Sequence, residues 1–166
     1  MACPYFLPQE RIENPPWPHP ARLPLGDGWT GYCTAPGHEG VRPSDDELRE
    51  GCNLGYARAC PRLPRQRSSD AVRFTLARDR DRMLSVQFVC EIAHAPGEHG
   101  MLEFDAASGR WSSAHADARI QKMAECYVNS YLHRSGVAAG LQSSDVSLQE
   151  NRLATEGWRP KTEKVD

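Results

Sequence analysis

VRFTLARDRDRMLSVQFVCEI, from Val72 to Ile92, is the stretch whose pattern decides the fold. Val72, Phe74 and Leu76 alternate with Arg73 and Thr75. Leu84, Val86, Phe88, Cys90 and Ile92 alternate over a second, longer run. Asp79-Arg80-Asp81-Arg82 between them reads as a polar turn. A period of two sends successive side chains to opposite faces of a sheet, one apolar and one wet. Leu102 and Phe104 mark a third strand, Ala106–Gly109 a turn, and Arg110-Trp111-Ser112 a short fourth strand. His94-Ala-Pro-Gly-Glu98-His99 reads as a polar loop between strands; as a metal or acid–base set it is the weaker reading. The sequence therefore predicts an antiparallel meander of three or four strands.

Downstream the period changes. Ile120, Met123, Ala124, Tyr127, Val128 and Tyr131 recur as one apolar stripe on a helix from about Ala114 to Arg134. His133 and Arg134 suit the negative helix end, and Gly136 the position just past it. This helix should cover the apolar face of the sheet. Cys90 is in phase with the buried residues of its strand, whereas Cys126 falls off the helix stripe and should be partly exposed. Residues 137–166 read as a weakly ordered tail, with Val146 and Leu153 on one side of a short helix and Trp158 as its docking candidate.

Upstream the chain is of another kind. Most of its prolines, and four of the six cysteines, lie in residues 1–64. Proline removes a backbone donor and restricts the residue before it, so long helices are excluded here. Residues 1–32 read as extended loop, with polyproline II over Asn14–Pro20 and Trp17 as an anchor. With few large apolar residues, this part should depend on cross-links for much of its order. Gly26, Gly28 and Gly31 match G-x-G-x-x-G, but prolines precede them and Cys33 and Pro36 follow, so no nucleotide fingerprint is implied. They should instead let the backbone bend around a site at Cys33. Ser44-Asp45-Asp46-Glu47 is a capping box that should open a short helix through Glu50, with Gly51 ending it. The chain thus divides into an irregular, Pro/Gly-rich, cysteine-liganded lobe over 1–69, a sheet-and-helix part over 70–136, and the tail over 137–166. These are parts of one compact body of the α+β class.

Cys3, Cys33, Cys52 and Cys60 are the candidate site. Cys52 and Cys60 flank a short turn in GCNLGYARACPR, Gly51–Arg62. A compact turn there would bring both sulfurs to one centre, and Cys3 and Cys33 complete a set of four thiolates. Four thiolates suit an iron–sulfur cluster or a structural zinc. Zinc sites usually show C-x₂₋₄-C knuckles, and this chain has none. Cys-Pro, which closes ferredoxin-type ligand runs, occurs at Cys3-Pro4 and Cys60-Pro61. The first reading is therefore a [4Fe–4S] cluster and the second a zinc ion, with His38 as a substitute for one thiolate.

Composition bounds the function. A formal charge of −2 over 166 residues gives no general attraction to nucleic acid or an anionic membrane, and no apolar run is long enough to span a bilayer. MACPYFLPQE lacks the basic and apolar regions of an export signal, so a cytoplasmic location is expected, where clustered thiols bind metal or do redox work rather than form disulfides. Arg58, Arg62, Arg65 and Arg67 crowd the last ligand and would raise a cluster's potential or dock an acidic redox partner. There is no P-loop, H-E-x-x-H, G-x-S-x-G or C-x-x-C, so no catalytic set is named. The functional expectation is a small iron–sulfur protein that moves or senses electrons, with a zinc-stabilised interaction module as the rival and a metal-dependent enzyme as the third reading.

Overall fold

The computed structural model describes residues 1–14, 17, 23–54, 56 and 60–136. Strand β1 (Phe6–Arg11) pairs antiparallel with β2 (Trp29–Cys33) in a two-stranded sheet. The loop reading of residues 1–32 is thus corrected over these two segments. Pro8 and Gly31 sit opposite each other in the register, and the pairing shifts between Pro8 and Arg11. A side chain at position 31 would collide with the Leu7 carbonyl, so glycine is what lets the two strands close up.

Helix α1 (Asp45–Glu47) opens with the complete capping box: the Glu47 amide donates to Ser44 Oγ, and the Ser44 amide donates to Glu47 Oε2 at 2.8 Å. The chain does not stop at Gly51. It widens into a π-helical turn, Leu48–Asn53, so Cys52 lies inside a helical turn rather than beyond a helix end. The cause is tertiary: the turn is closed by the side chain of Asn53, described below.

Strands β3 (Ala71–Arg80), β4 (Met83–Ile92), β5 (Ala95–Asp105) and β6 (Arg110–Ser113) pair antiparallel in chain order. Two-residue turns join the first three. Asp81 and Arg82, then Ala93 and His94, all have positive φ, which matches the strong twist of a tight hairpin. The segment taken for a loop, Ala95 to His99, therefore belongs to β5. Val72, Phe74, Leu84, Val86, Phe88, Cys90, Leu102 and Phe104 are buried. Ile92 is exposed, against its phase, because it is the last residue before the turn and the β4–β5 register slips between Val89 and Glu91.

Helix α2 (Ala118–Arg134) is capped by Asp117, whose side chain accepts from the Arg119 amide, and is followed by Gly136 with positive φ. It packs on β3, where the Leu76 amide donates to the Tyr127 hydroxyl (3.0 Å) and the Tyr131 hydroxyl donates to Asp79 Oδ2 (2.6 Å). It also packs on β1 and on the loop before β2. A Cβ at Gly26 would meet Ser130, and Arg134 donates to the Gly26 carbonyl. Being covered on two sides, the helix buries Cys126 (3 % exposed) along with Ser130 and Leu132. The expectation of an exposed Cys126 is overturned for that reason.

Ala2, Phe6, Trp17, Leu23, Leu25, Trp29 and Leu48 join the sheet and helix residues in one continuous core. The N-terminal part is therefore not short of buried apolar residues, as its irregular pattern implied. Trp17 does serve as an anchor: its ring occupies the space beside Gly28. The tail 137–166 and most of the proline-rich run 15–22 lie outside the described residues.

Candidate metal centre

Four separate pieces of chain deliver the four cysteines. Ala2 pairs with Val72 on the edge of β3, donating to and accepting from it at 2.8 and 2.9 Å, which fixes the next residue, Cys3, at the junction of the two sheets. The Cys3 amide donates to the Cys52 carbonyl at 3.0 Å, and the Cys3 carbonyl accepts from Phe6 as the chain turns into β1. Cys33 ends β2 opposite Phe6. Its backbone closes on the following loop, with its amide donating to Val41 and its carbonyl accepting from Gly40. Cys52 sits in the π-helical turn. Cys60 starts a tight turn closed by the Leu63 amide at 3.2 Å, with Pro61 beginning the reversal.

All four line one cavity of about 250 Å³, whose wall also includes Tyr5, Phe6, Glu47, Tyr56, Pro61, Arg62 and Leu63. Cys3 is buried and the other three are partly so, and none of the six cysteines is in a disulfide. The thiols feel one another. Burial pushes the Cys3 thiol up to about 12; the Tyr5 amide pulls the other way, and the Cys60 and Cys33 thiols add to the rise. Burial also pushes Cys52 up, with further increments from Cys3, Cys60 and Cys33. Repulsion between would-be thiolates in an apolar pocket is relieved when a cation binds, since a coordinating thiol is deprotonated outright. The donor set is thus the soft, sulfur-rich kind that iron–sulfur clusters and zinc select. Among the described residues no group of three or more His, Cys, Asp or Glu side chains is set so that it could hold a single metal ion.

Other features around the cavity were not foreseen. The Cys33 sulfur accepts from the Ala35 amide at 3.5 Å. Arg62 pairs with Glu47 at 2.8 Å, so the residue that completes the capping box also holds the turn after Cys60. The Ser44 amide first, and the Arg62 guanidinium after it, hold the Glu47 carboxyl below its usual range, against the opposing effect of burial. Arg119, at the start of α2, lies over the Tyr5 ring at 5.0 Å, pairs with Asp117 and senses the Cys3 thiol. No local pattern marks Arg119, because its proximity to Cys3 comes from helix docking. The acidic Asp46, Glu47 and Glu50 on the cavity wall were visible in sequence only as helix-starting residues.

The remaining candidates go elsewhere. Arg67 is tied to Asp70 and to the Pro64 carbonyl, Arg65 is exposed, and Arg58 lies outside the described residues. His38 is not part of the cavity wall. His94 stacks on Tyr56 at 4.1 Å, Glu98 pairs with His115, and His99 turns to the Gly97 carbonyl. The glycines of the G-x-G-x-x-G match serve contacts with Ser130, Trp17 and Leu7 rather than a bend around Cys33. Among the described residues no helix is long and apolar enough to cross a membrane. No protein-family model matches the chain, and neither a curated protein nor a solved structure matches it significantly.

Proposed function

We propose that the protein is a small iron–sulfur protein whose Cys3, Cys33, Cys52 and Cys60 hold a [4Fe–4S] cluster, and that it moves or senses electrons. The observation that carries this reading is the meeting of four thiols, from the turn before β1, the end of β2, the π-helical turn and the turn at Cys60, on the wall of one cavity. The absence of C-x₂₋₄-C knuckles and the Cys-Pro pairs at Cys3 and Cys60 favour the cluster over zinc for these four thiols. A bound cluster would supply reversible one-electron chemistry.

The chain's own residues would do the rest. Tyr5, Phe6, Pro61 and Leu63 give the cavity apolar surface that limits water at the sulfurs. The Ala35 amide would keep its hydrogen bond to Cys33 and stabilise the charge that ligation leaves there. Arg62 and Arg119, both close enough to sense the thiols, would offset negative charge and raise the potential. An acidic redox partner docking beside Arg62 and exposed Arg65 is the companion proposal. Its support is weaker, since Arg62 is already paired with Glu47.

The test is anaerobic purification followed by metal and sulfide analysis. A brown protein containing iron and acid-labile sulfide supports the proposal. A colourless protein with one zinc per chain replaces it with the structural-zinc reading, because zinc has no visible absorption of its own.

A further inference from the structure

Asn53 is a polar residue inside the core, 1 % exposed. Its amide uses both ends. Oδ1 accepts from the Trp29 amide at 3.0 Å, and Nδ2 donates to the Trp29 carbonyl and to the Leu48 carbonyl, each at 3.0 Å. The two bonds to Trp29 imitate one rung of a sheet, so the side chain docks on the first residue of β2 as a strand would. The third bond reaches five residues back, to the first residue of the π-helical turn. These are directional bonds in a dry place, where leaving any partner unsatisfied is costly. Leucine, of similar size, would strand the Trp29 amide and carbonyl. Aspartate would turn a second oxygen toward two carbonyl oxygens.

Cys52 is the residue just before Asn53, and its own carbonyl accepts from the Cys3 amide. Cys33 is at the far end of the strand that Asn53 grips. One buried side chain thus indexes the Cys52 turn against the Cys33 strand, while the Cys52 backbone indexes Cys3. We infer that Asn53 is the positioning residue of the thiol site: it sets where the Cys52 sulfur stands relative to those of Cys3 and Cys33. Its consequence for metal retention rests on the metal-centre reading above; the placement of the thiols does not.

The experiment compares Asn53→Ala with Leu84→Ala. Leu84 is buried at the opposite end of β4 from Cys90, whose β3 partner Val72 pairs with Ala2, so it controls for plain loss of stability. Two quantities are read. One is the rate at which the anaerobically loaded protein loses iron to a chelator. The other is the affinity of the metal-free, reduced protein for phenylarsine oxide, which bridges two neighbouring thiols. Asn53→Ala should release iron faster and bind the arsenical more weakly, each by about ten- to a hundred-fold, the usual cost of removing a residue that orients a ligand. Leu84→Ala should lower the melting temperature but leave both unchanged. Asn53→Ser, which keeps a hydroxyl for the Trp29 amide, should fall between and serves if the alanine variant does not fold. Iron release and arsenical affinity that match wild type, or that Leu84→Ala alters equally, would overturn the assignment. If wild type takes up no iron yet the arsenical still separates Asn53→Ala from Leu84→Ala, the cluster proposal fails and the positioning role stands.

Discussion

The two halves of this molecule bury their apolar residues by different rules. In β3, β4 and α2 the apolar residues that the period singles out, Val72, Phe74, Val86, Phe88, Ile120 and Met123, are buried, with Ile92 exposed and Ser85, Val89, Glu91 and Cys126 buried as departures from it. In residues 1–54 there is no such period. Phe6, Trp17, Leu23, Leu25, Trp29 and Leu48 are nevertheless as deeply buried, and they share the same core. Periodicity reports regular elements; it does not report burial, because a loop can turn any residue inward. The cysteines divide along the same line. Cys90 and Cys126 are inside regular elements and pack as small hydrophobes, while Cys3, Cys33, Cys52 and Cys60 lie at strand ends and turns around one cavity.

The largest effect that could break this comparison is loss of the proposed cluster. Cys60→Ala should abolish metal retention, an interaction worth on the order of 10 kcal/mol in small structural sites. Protease sensitivity should then rise across residues 52–63, while the amides of β3, β4 and β5 remain slow to exchange. Because Phe6 and Trp29 are held by the shared core, β1 and β2 should stay protected too. If all of residues 1–64 become open to protease, the metal rather than the apolar anchor organises that half.

Next in size is Phe6→Ala, which should cost about 3–5 kcal/mol. Since Phe6 belongs to the common core, the variant should still unfold in one transition, with tryptophan fluorescence and far-UV circular dichroism coinciding. Fluorescence moving first would mark the N-terminal half as a separate unit.

A third test uses alkali. Burial raises the Cys126 thiol to about 12 from an ordinary value of 9.0, so the unfolded chain gives up that proton first. The stability from keeping Cys126 neutral is complete below pH 9 and is lost as pH climbs through the folded value. By about pH 11 the loss should be on the order of 2–3 kcal/mol. Denaturant midpoints between those pH values should fall less steeply in Cys126→Ala. An unchanged slope would mean that the thiol is more exposed than its place between helix and sheet implies.

The smallest effect is Ser44→Ala, about 1 kcal/mol for a lost N-cap. Glu47 links that cap to Arg62, so the loss should show in amide exchange of the π-helical turn and not in the sheet. Equal loosening of both would remove the distinction between the halves at this point.

Wherever a residue's neighbours are close in sequence, the chain announced its structure. The alternation of Val72–Leu76 and Leu84–Cys90, the stripe from Ile120 to Val128, and the capping box at Ser44 are local rules, enforced by backbone geometry within a few residues. The four early cysteines could be singled out because Gly/Pro-rich sequence gives them no place in a regular element. Contacts between distant segments were decided only by the tertiary structure. The pairing of β1 with β2 needs Leu7 to meet Gly31. The π-helical turn needs Asn53 to find Trp29, and the burial of Cys126 needs the loop at Gly26 to lie on α2. Arg119 comes within reach of Cys3 only when the helix docks. Each of these depends on bringing together residues 24 to more than 100 positions apart, a closure that no short-range propensity encodes and that only the shared core holds in place.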